Sequence, residues 1–560
     1  MRLLTQLLLL CLALVLRNNA PAQEFVEPAK PAKSRVAGIT VGPPPNTNGR
    51  VQVPIITWGG DAATLLANGG TETAPASLFG KAGLNLSLTR QDDFVVQVKD
   101  YMEGRSPFLR GTLGMINTYT EALNADSRTA PVVVMQLTWS TGGDCLVVRD
   151  GIASPKDLKG KTVVIQQYGP HVEYMDQILR DAGLSWKDVT IRWCEELYDV
   201  DGKPNDPATL FRVVPGIHAA FCISPDAAAL TSNMTVGTGA EDSVRGARVL
   251  MTTKTASRVI ADVYAVRSDF LKANREWVKK FVAAHFAAQQ QVVDTLKRKE
   301  SAEYAAVMTL AADKLLDNPQ AIPDAEGLLA DCSFALAGGN ADYFDNSGNL
   351  VGFEPSTRRN QSWLVTQGFL SATQPLTHAG WAFAEFGVVG TATPAVRFNQ
   401  AAAVQAAKET QQDGILFEFE ILFEPNQKEF KEAQYGDQFR RALELSATYG
   451  GALLEIVGHS DPTKYMRMKE QKLTSQVLER QRQAGLNLSD QRASEVRKSL
   501  IDFAKGKNIS INETQFISTG RGYDEPKIAA PTTKEQMAEN RRVQFRIINI
   551  EGEAGEVLEE

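Results

Sequence analysis

A series of short, unbroken apolar runs constrains this chain most. Several are closed by Gly or Pro turns, and they alternate with helical stretches. The runs are Pro131 to Thr138, Cys145 to Arg149, Lys161 to Gln167, Val189 to Trp193 and Ile217 to Ile223. A strand apolar at every position has both faces buried, so it needs helices above and below it. Repeated in this way, the pattern predicts an α/β protein with buried parallel sheets. An earlier strand begins at Val51, where Val51, Val53 and Ile55 precede the turn Trp58-Gly59-Gly60-Asp61. From Asp269 to Lys297 the period becomes helical, with Trp277, Phe281 and His285 on one line and Val278, Val282 and Phe286 on the next. In sheets of this kind, ligands collect at the carboxyl ends of strands, near helix N-termini.

With 560 residues the chain has room for three or four folding units. A net charge of −7 argues against a nucleic-acid binder, so no nucleic-acid partner is expected. The first 22 residues carry Arg2, an apolar run from Leu3 to Leu16, and the small-residue site Ala20-Pro21-Ala22. That is the layout of a secretory signal peptide, and the run is short for a membrane span. Residues 23–50, rich in Pro, Ala, Gly and Asn, read as a flexible tether. The module that follows is expected over 51–395, with an Ala/Gln-rich linker over 396–413. A compact α+β domain is expected over 414–552 and an acidic tail over 553–560. In the α+β domain Phe417, Phe419 and Ile421 alternate in a strand, Leu453 to Gly458 is another, and Ser489 is placed to cap a helix bearing Ala493, Val496 and Leu500. After export, Cys145, Cys194, Cys222 and Cys332 meet an oxidising compartment, and Cys194 could pair with Cys222.

The five histidines, His171, His218, His285, His378 and His459, form neither H-x-x-x-H nor H-E-x-x-H, and no C-x-x-C occurs. No metal site and no cofactor are therefore expected. Neither a G-x-S-x-G elbow nor a phosphate-binding loop is present, and no catalysis is expected.

Two family resemblances follow from ordered motifs. Residues 51–300 resemble periplasmic substrate-binding proteins of the nitrate/sulfonate/taurine type. The likeness rests on Ile56-Thr57-Trp58-Gly59-Gly60, on Asp157-Leu158-Lys159-Gly160-Lys161-Thr162-Val163, on Ala182-Gly183-Leu184, on Pro225-Asp226, and on Ile260-Ala261-Asp262-Val263 leading to Asp269-Phe270-Leu271. It implies a two-lobed α/β periplasmic-binding-protein fold, with crossings near 144–149 and 249–253 and closure around a ligand. Cleft candidates then lie at strand ends. Trp58 would stack on a ligand, Ser140 and Thr141 would donate hydrogen bonds, and Gln167, Tyr168 and His171 would line a helix N-terminus facing the cleft. Ser224 and Asp262 come from other strand ends. Asp262 needs a ligand amine or faces away, which leaves the charge of the solute open.

Residues 415–550 resemble the OmpA-like peptidoglycan-binding family. Gly458-His459-Ser460-Asp461 matches its strand end, Leu488-Ser489-Asp490-Gln491-Arg492-Ala493 its helix start, Gly520-Arg521-Gly522 with Pro526 its turn, and Asn540-Arg541-Arg542-Val543 its last strand. The resemblance implies a site for the diaminopimelate of the peptidoglycan stem peptide. Asp461 would accept from its ammonium and Arg492 would grip its carboxylate in a bidentate fork. Placed in the first turn of its helix, Arg492 would have free N–H groups beside it. The stretch Thr463 to Gly485 is longer than in the compact form of the family and rich in Lys and Arg. It reads as a basic flap or as a solvated helix. The combined expectation is an exported solute-binding protein that serves an ABC importer and its permease, held in the periplasm at the cell wall by its last domain. The alternative is a structural or sensory envelope protein that binds peptidoglycan without feeding a transporter.

Overall fold

The computed structural model describes residues 31–200, 202–345, 348–386, 398–409, 414–422 and 432–549. The signal-peptide residues, the first part of the tether, most of the linker's ends and the acidic tail lie outside the described residues.

The first lobe opens with the parallel pair β1 (Val51–Ile55) and β2 (Leu86–Arg90), followed by β3 (Phe108–Thr112) and β4 (Pro131–Ser140). The chain then crosses into a second lobe built on β5 (Asp144–Val148), β6 (Thr162–Gln166), β7 (Thr190–Cys194), β8 (Ala219–Ile223) and β9 (Arg248–Thr252), in the order β7-β6-β8-β5-β9. It returns as β10 (Ala261–Arg267), which lies between β4 and β3. Two short strands, β11 (Cys332–Phe334) and β12 (Thr377–His378), pair with β4. The lobe crossings therefore run through Thr141–Gly143 and Thr253–Ile260.

The expected parallel sheets are in fact mixed. β6 is parallel to β7 and β8, but β5 is antiparallel to β8 and β9, and β10 is antiparallel to β3 and β4. The reason is topological: a chain that leaves one lobe and comes back re-enters each sheet from the opposite end. Most of the apolar runs form buried strands, and every residue of β5 and β10 is buried, but the edge strand β7 buries only Trp193 and Cys194. Helix Arg275–Leu296 turns Val278, Phe281, Val282 and His285 inward, as its period requires.

The segment 31–50 is packed, which corrects its reading as a tether. Residues Ala32–Val36 form a 3-10 turn with both end residues buried. Arg267 Nη2 donates to the Gly42 carbonyl at 2.9 Å, and Gly42 N donates to the Met102 carbonyl at 3.0 Å. Its composition suggested freedom, but two small apolar anchors and backbone bonds hold it to the first lobe.

The last module is a sheet in the order β13-β16-β14-β15, from β13 (Ile415–Leu422), β14 (Leu453–Gly458), β15 (Phe516–Gly520) and β16 (Arg542–Ile548). Helix Gln400–Glu409 buries Ala403 and Ala407 in one cluster with Leu453, Ile517 and Ile548. Helix Glu432–Thr448 and the 32-residue helix Ser475–Gly506 complete this module.

This module sits against the second lobe. Tyr449 donates to Asp181 Oδ2 at 2.7 Å, and Arg441 Nη1 lies 2.9 Å from Asp181 Oδ1. Gly451 N donates to the Thr255 carbonyl at 3.2 Å, and Arg258 N to the Thr448 carbonyl at 3.2 Å. A Cβ on Gly451 would lie 1.9 Å from the Lys254 carbonyl oxygen, so only glycine permits this approach.

Candidate functional site

The cleft candidates cluster around the two crossings, and protein groups already hold most of their polar atoms. Trp58 Nε1 donates to Thr138 Oγ1 at 3.0 Å, and Thr138 Oγ1 donates to Asp262 Oδ2 at 3.0 Å. Asp262 faces Arg110, whose Nη1 lies 2.7 Å away, and the same guanidinium contacts Asp61 at 2.9 Å. Asp262, for which the sequence left open a ligand amine or an orientation facing away, is paired here with the buried Arg110. Burial raises the Asp61 carboxyl to about 6 despite the adjacent Arg110, and burial raises Asp262 as well. The Trp58 indole covers the first crossing: a Cβ on Gly143 would come within 2.5 Å of its six-membered ring.

Ser140 and His171 meet on one carboxylate, that of Asp144. Ser140 Oγ donates to Asp144 Oδ2 at 2.5 Å, and His171 Nε2 lies 2.7 Å from Oδ1. Thr253, from the other crossing, closes the network, with its Oγ1 2.7 Å from Ser140 Oγ. Ser224 donates to Asp331 Oδ2 at 2.6 Å, and Thr141 N donates to the Asp331 carbonyl at 2.8 Å. Gln167 is buried, with its N–H on the Cys194 carbonyl at 2.9 Å.

Tyr168 stands apart. It is a bulky residue at φ +60°, a left-handed backbone of the kind that collects at functional positions. Its ring lies between Tyr119 of the first lobe, 6.1 Å away, and Phe369, 5.5 Å away. Arg35 sits over it at 5.9 Å. Arg35 also lies 3.5 Å from Glu195 of the second lobe, while Lys33 lies 2.7 Å from Glu121 of the first. The turn Ala32–Val36 therefore spans the two lobes beside the tyrosine.

Helix Phe353–Thr366 spans them too. Gln361 donates to Asn117 of the first lobe at 2.9 Å, Asn360 donates to Glu173 of the second at 2.9 Å, and Trp363 stacks on Trp186 at 5.4 Å. Burial lifts the Glu173 carboxyl to about 7, against the hydrogen bonds from Asn360, Thr112 and Gly114 that favour its anion.

Asp144, Arg110, Asp331 and Glu173 were not singled out in the sequence. The only signal for Asp144 and Arg110 was their position at a strand end and inside an apolar run. Cys145, Cys194, Cys222 and Cys332 are free and buried, so the Cys194–Cys222 pairing that the sequence left open is not formed here, and Cys145 is the register partner of Cys222 across β5 and β8.

In the last module Asp461 follows β14. Its Oδ1 accepts from Thr463 N at 3.1 Å and from Thr463 Oγ1 at 2.7 Å. Arg541 Nη1 lies 3.9 Å from Asp461 Oδ2. Burial, and then the charge of Arg541, hold the Arg492 guanidinium below its usual value. Asp461 and Arg541 thus meet at one rim of the sheet, with Arg492 near enough to feel the Arg541 charge. Arg541 was read only as part of a strand start, although its motif was in view. The helix bearing Arg492 begins at Ser475 and not at Ser489, which corrects the expected cap. Arg492 is therefore mid-helix, with no free N–H groups beside it. The helix continues through Gly485 because the missing side chain leaves room for Tyr523: a Cβ there would lie 2.3 Å from the ring carbon Cζ. Ser489 instead accepts from Gly522 N at 2.9 Å and donates to the Leu486 carbonyl.

Two lobes joined by two crossings, with polar strand ends converging between them, define a two-lobed α/β module. Residues 77–202 match the NMT1/THI5-like family, under a quarter of the chain. No curated protein matches. Among solved structures, the aliphatic sulphonate binding protein SsuA of Escherichia coli aligns at 14% identity and a TM-score of 0.40, over 58% of this chain and 93% of that one. The alkanesulfonate-binding SsuA of Xanthomonas axonopodis aligns at 14% identity and 0.40, over 60% and 100%. A Candida albicans protein with the generic periplasmic binding protein fold aligns at 11% and 0.38, over 58% and 92%.

Proposed function

We propose that this is an exported two-part protein of the periplasm. The two-lobed module takes a small solute between its lobes for an importer, and the last module holds it non-covalently to peptidoglycan. The observation that carries the reading is the meeting of Asp461 and Arg541 at one rim of the β13–β16 sheet, with Arg492 near enough to feel the Arg541 charge. An acid and two guanidiniums complement a group that bears an ammonium and a carboxylate on one carbon, as the diaminopimelate side chain does. The match of residues 77–202 to the NMT1/THI5-like family supports the solute-binding half. We read binding and not catalysis, since His171 and Ser140 bond opposite oxygens of Asp144, an arrangement that holds a crossing in place.

The test is co-sedimentation of the full chain with diaminopimelate-type sacculi. Asp461→Ala or Arg492→Ala is expected to abolish pelleting, and unchanged pelleting would remove both residues from the site. A thermal-shift screen with nitrate, sulfonates, amino acids and pyrimidines tests the other half. A solute at about 100 times its Kd adds roughly 2.7 kcal/mol of stability.

A second reading has its own support. The polar strand ends are satisfied within the protein, and both the Ala32–Val36 turn and helix Phe353–Thr366 bridge the lobes. A module held shut in this way suits a structural or sensory envelope protein that feeds no transporter. A screen in which no solute shifts the melting temperature, with sacculus binding intact, would favour it.

A further inference from the structure

Next to the Asp461 rim, a groove of about 680 Å³ opens between the inserted helical hairpin and the loop after β15. One wall is helix Thr463–Glu470, with Tyr465, Met466 and Lys469, and the start of helix Ser475–Gly506, with Arg482. The other wall carries Tyr523 and Asp524. Helix Thr463–Glu470 has no buried residue, so the module's core does not account for its order. The insertion nonetheless shapes the groove. The Tyr465 and Tyr523 rings lie 5.6 Å apart at 30°, Arg482 lies 3.3 Å from Asp524, and Gln481 donates to the Tyr523 hydroxyl at 2.8 Å. Pro462, which immediately follows Asp461, lines the groove as well, so rim and groove are continuous.

We infer that this groove is a subsite for the amino sugar of peptidoglycan, an inference that rests on the proposed peptidoglycan reading. A pyranose ring offers C–H faces that pack on tyrosine, and hydroxyl and acetamido groups that need charged or amide partners. This lining supplies both. Its acids and bases are mixed, which disfavours a polyanion or a polycation. Its volume lies within the usual range for small-molecule sites, on the order of 300–1,000 Å³. The spacing also agrees. In a stem peptide the diaminopimelate is the third residue from the sugar, and two extended residues span roughly 7 Å. A sugar tethered to a side chain held at Asp461 therefore falls on the neighbouring groove.

The test is calorimetry of the full chain with three probes: a disaccharide-tetrapeptide muropeptide, the sugar-free tetrapeptide, and the free disaccharide. The muropeptide is expected to bind roughly tenfold tighter than the tetrapeptide. Tyr465→Ala is expected to erase that preference and leave tetrapeptide affinity unchanged, while Tyr465→Phe keeps the preference. Equal wild-type affinity for muropeptide and tetrapeptide overturns the subsite and leaves the peptidoglycan reading standing. Equal weakening of both ligands by Tyr465→Ala also overturns it. If neither peptide binds the wild type, the reading and the subsite fall together.

Discussion

At the scale of single residues, Glu173 makes the clearest forecast. It lies on the helix His171–Asp181 of the second lobe, and it accepts from Asn360 at 2.9 Å and from Gly114 N of the first lobe at 3.3 Å. Burial lifts its carboxyl to about 7 from an ordinary 4.5. The folded chain therefore keeps a proton that the unfolded chain releases between those values. Stability is highest below about 4.5, falls as pH climbs through the window, and stays low above it. The integrated loss is on the order of 3 kcal/mol. Glu173→Gln removes the charge and one acceptor, so a gain of roughly 1–2 kcal/mol at pH 8 is expected, with a flatter profile from pH 5 to 7. Urea melts across pH measure both, and an unchanged slope would assign the titration to another group. Residues of this kind were illegible in the sequence. Nothing adjacent to Glu173 marks it as buried, because the group that buries it, Asn360, is 187 positions away. Asp461 and Arg492 were singled out because short ordered motifs carry them. Arg541 was visible in its motif but not as a neighbour of Asp461, since that contact exists only once β14 and β16 lie side by side.

At the scale of elements, the bridging turn Ala32–Val36 separates apolar anchoring from surface charge. Val36 is buried, so Val36→Asp places a charge in an apolar contact and is expected to cost about 2–3 kcal/mol. Lys33→Ala removes an exposed ion pair with Glu121 and is expected to stay within about 1 kcal/mol. Hydrogen exchange along helix Leu113–Leu123 reads the outcome. Protection lost in Val36→Asp and retained in Lys33→Ala supports anchoring by burial, and equal loss in both would assign it to charge. The two sheets illustrate what periodicity can convey. The most apolar runs did become buried strands, because burial on both faces is a local demand, whereas the mixed run at Val189–Trp193 became the partly exposed edge strand β7. Strand direction was lost, since it is decided by where the chain returns after a crossing, and no window of residues contains that. Within Thr463 to Gly485, read as a basic flap or a solvated helix, the structure starts the long helix at Ser475 and carries it through Gly485, whose vacant side Tyr523 occupies.

At the scale of the whole molecule, Asp181 joins the modules. Its side chain is fully buried and meets both Arg441 and Tyr449 of the last module. Burial, and then the charge of Asp181, push the Tyr449 hydroxyl well above its ordinary range. Asp181→Ala leaves Tyr449 and the partly exposed Arg441 without their partner and is expected to cost about 1–3 kcal/mol of docking. Calorimetry is then expected to resolve two transitions where the intact chain shows one. A single transition in both would mean that the backbone bonds at Thr255 and Arg258 suffice. The expected domain boundaries came from changes of texture along the chain, but this docking has no such trace. It depends on Gly451 fitting under a carbonyl nearly two hundred residues away, a matter of shape and not of pattern.

The place of that docking bears on mechanics. Thr255 and Arg258, which receive the last module, belong to the second crossing, the stretch about which the lobes would turn. If the last module grips the wall, the second lobe and the pivot become part of a stationary frame, and the first lobe is the only free arm. Any signal of occupancy would then be a displacement of that arm relative to the sacculus, and a membrane partner positioned to read it would be matched to the surface around β1 to β3.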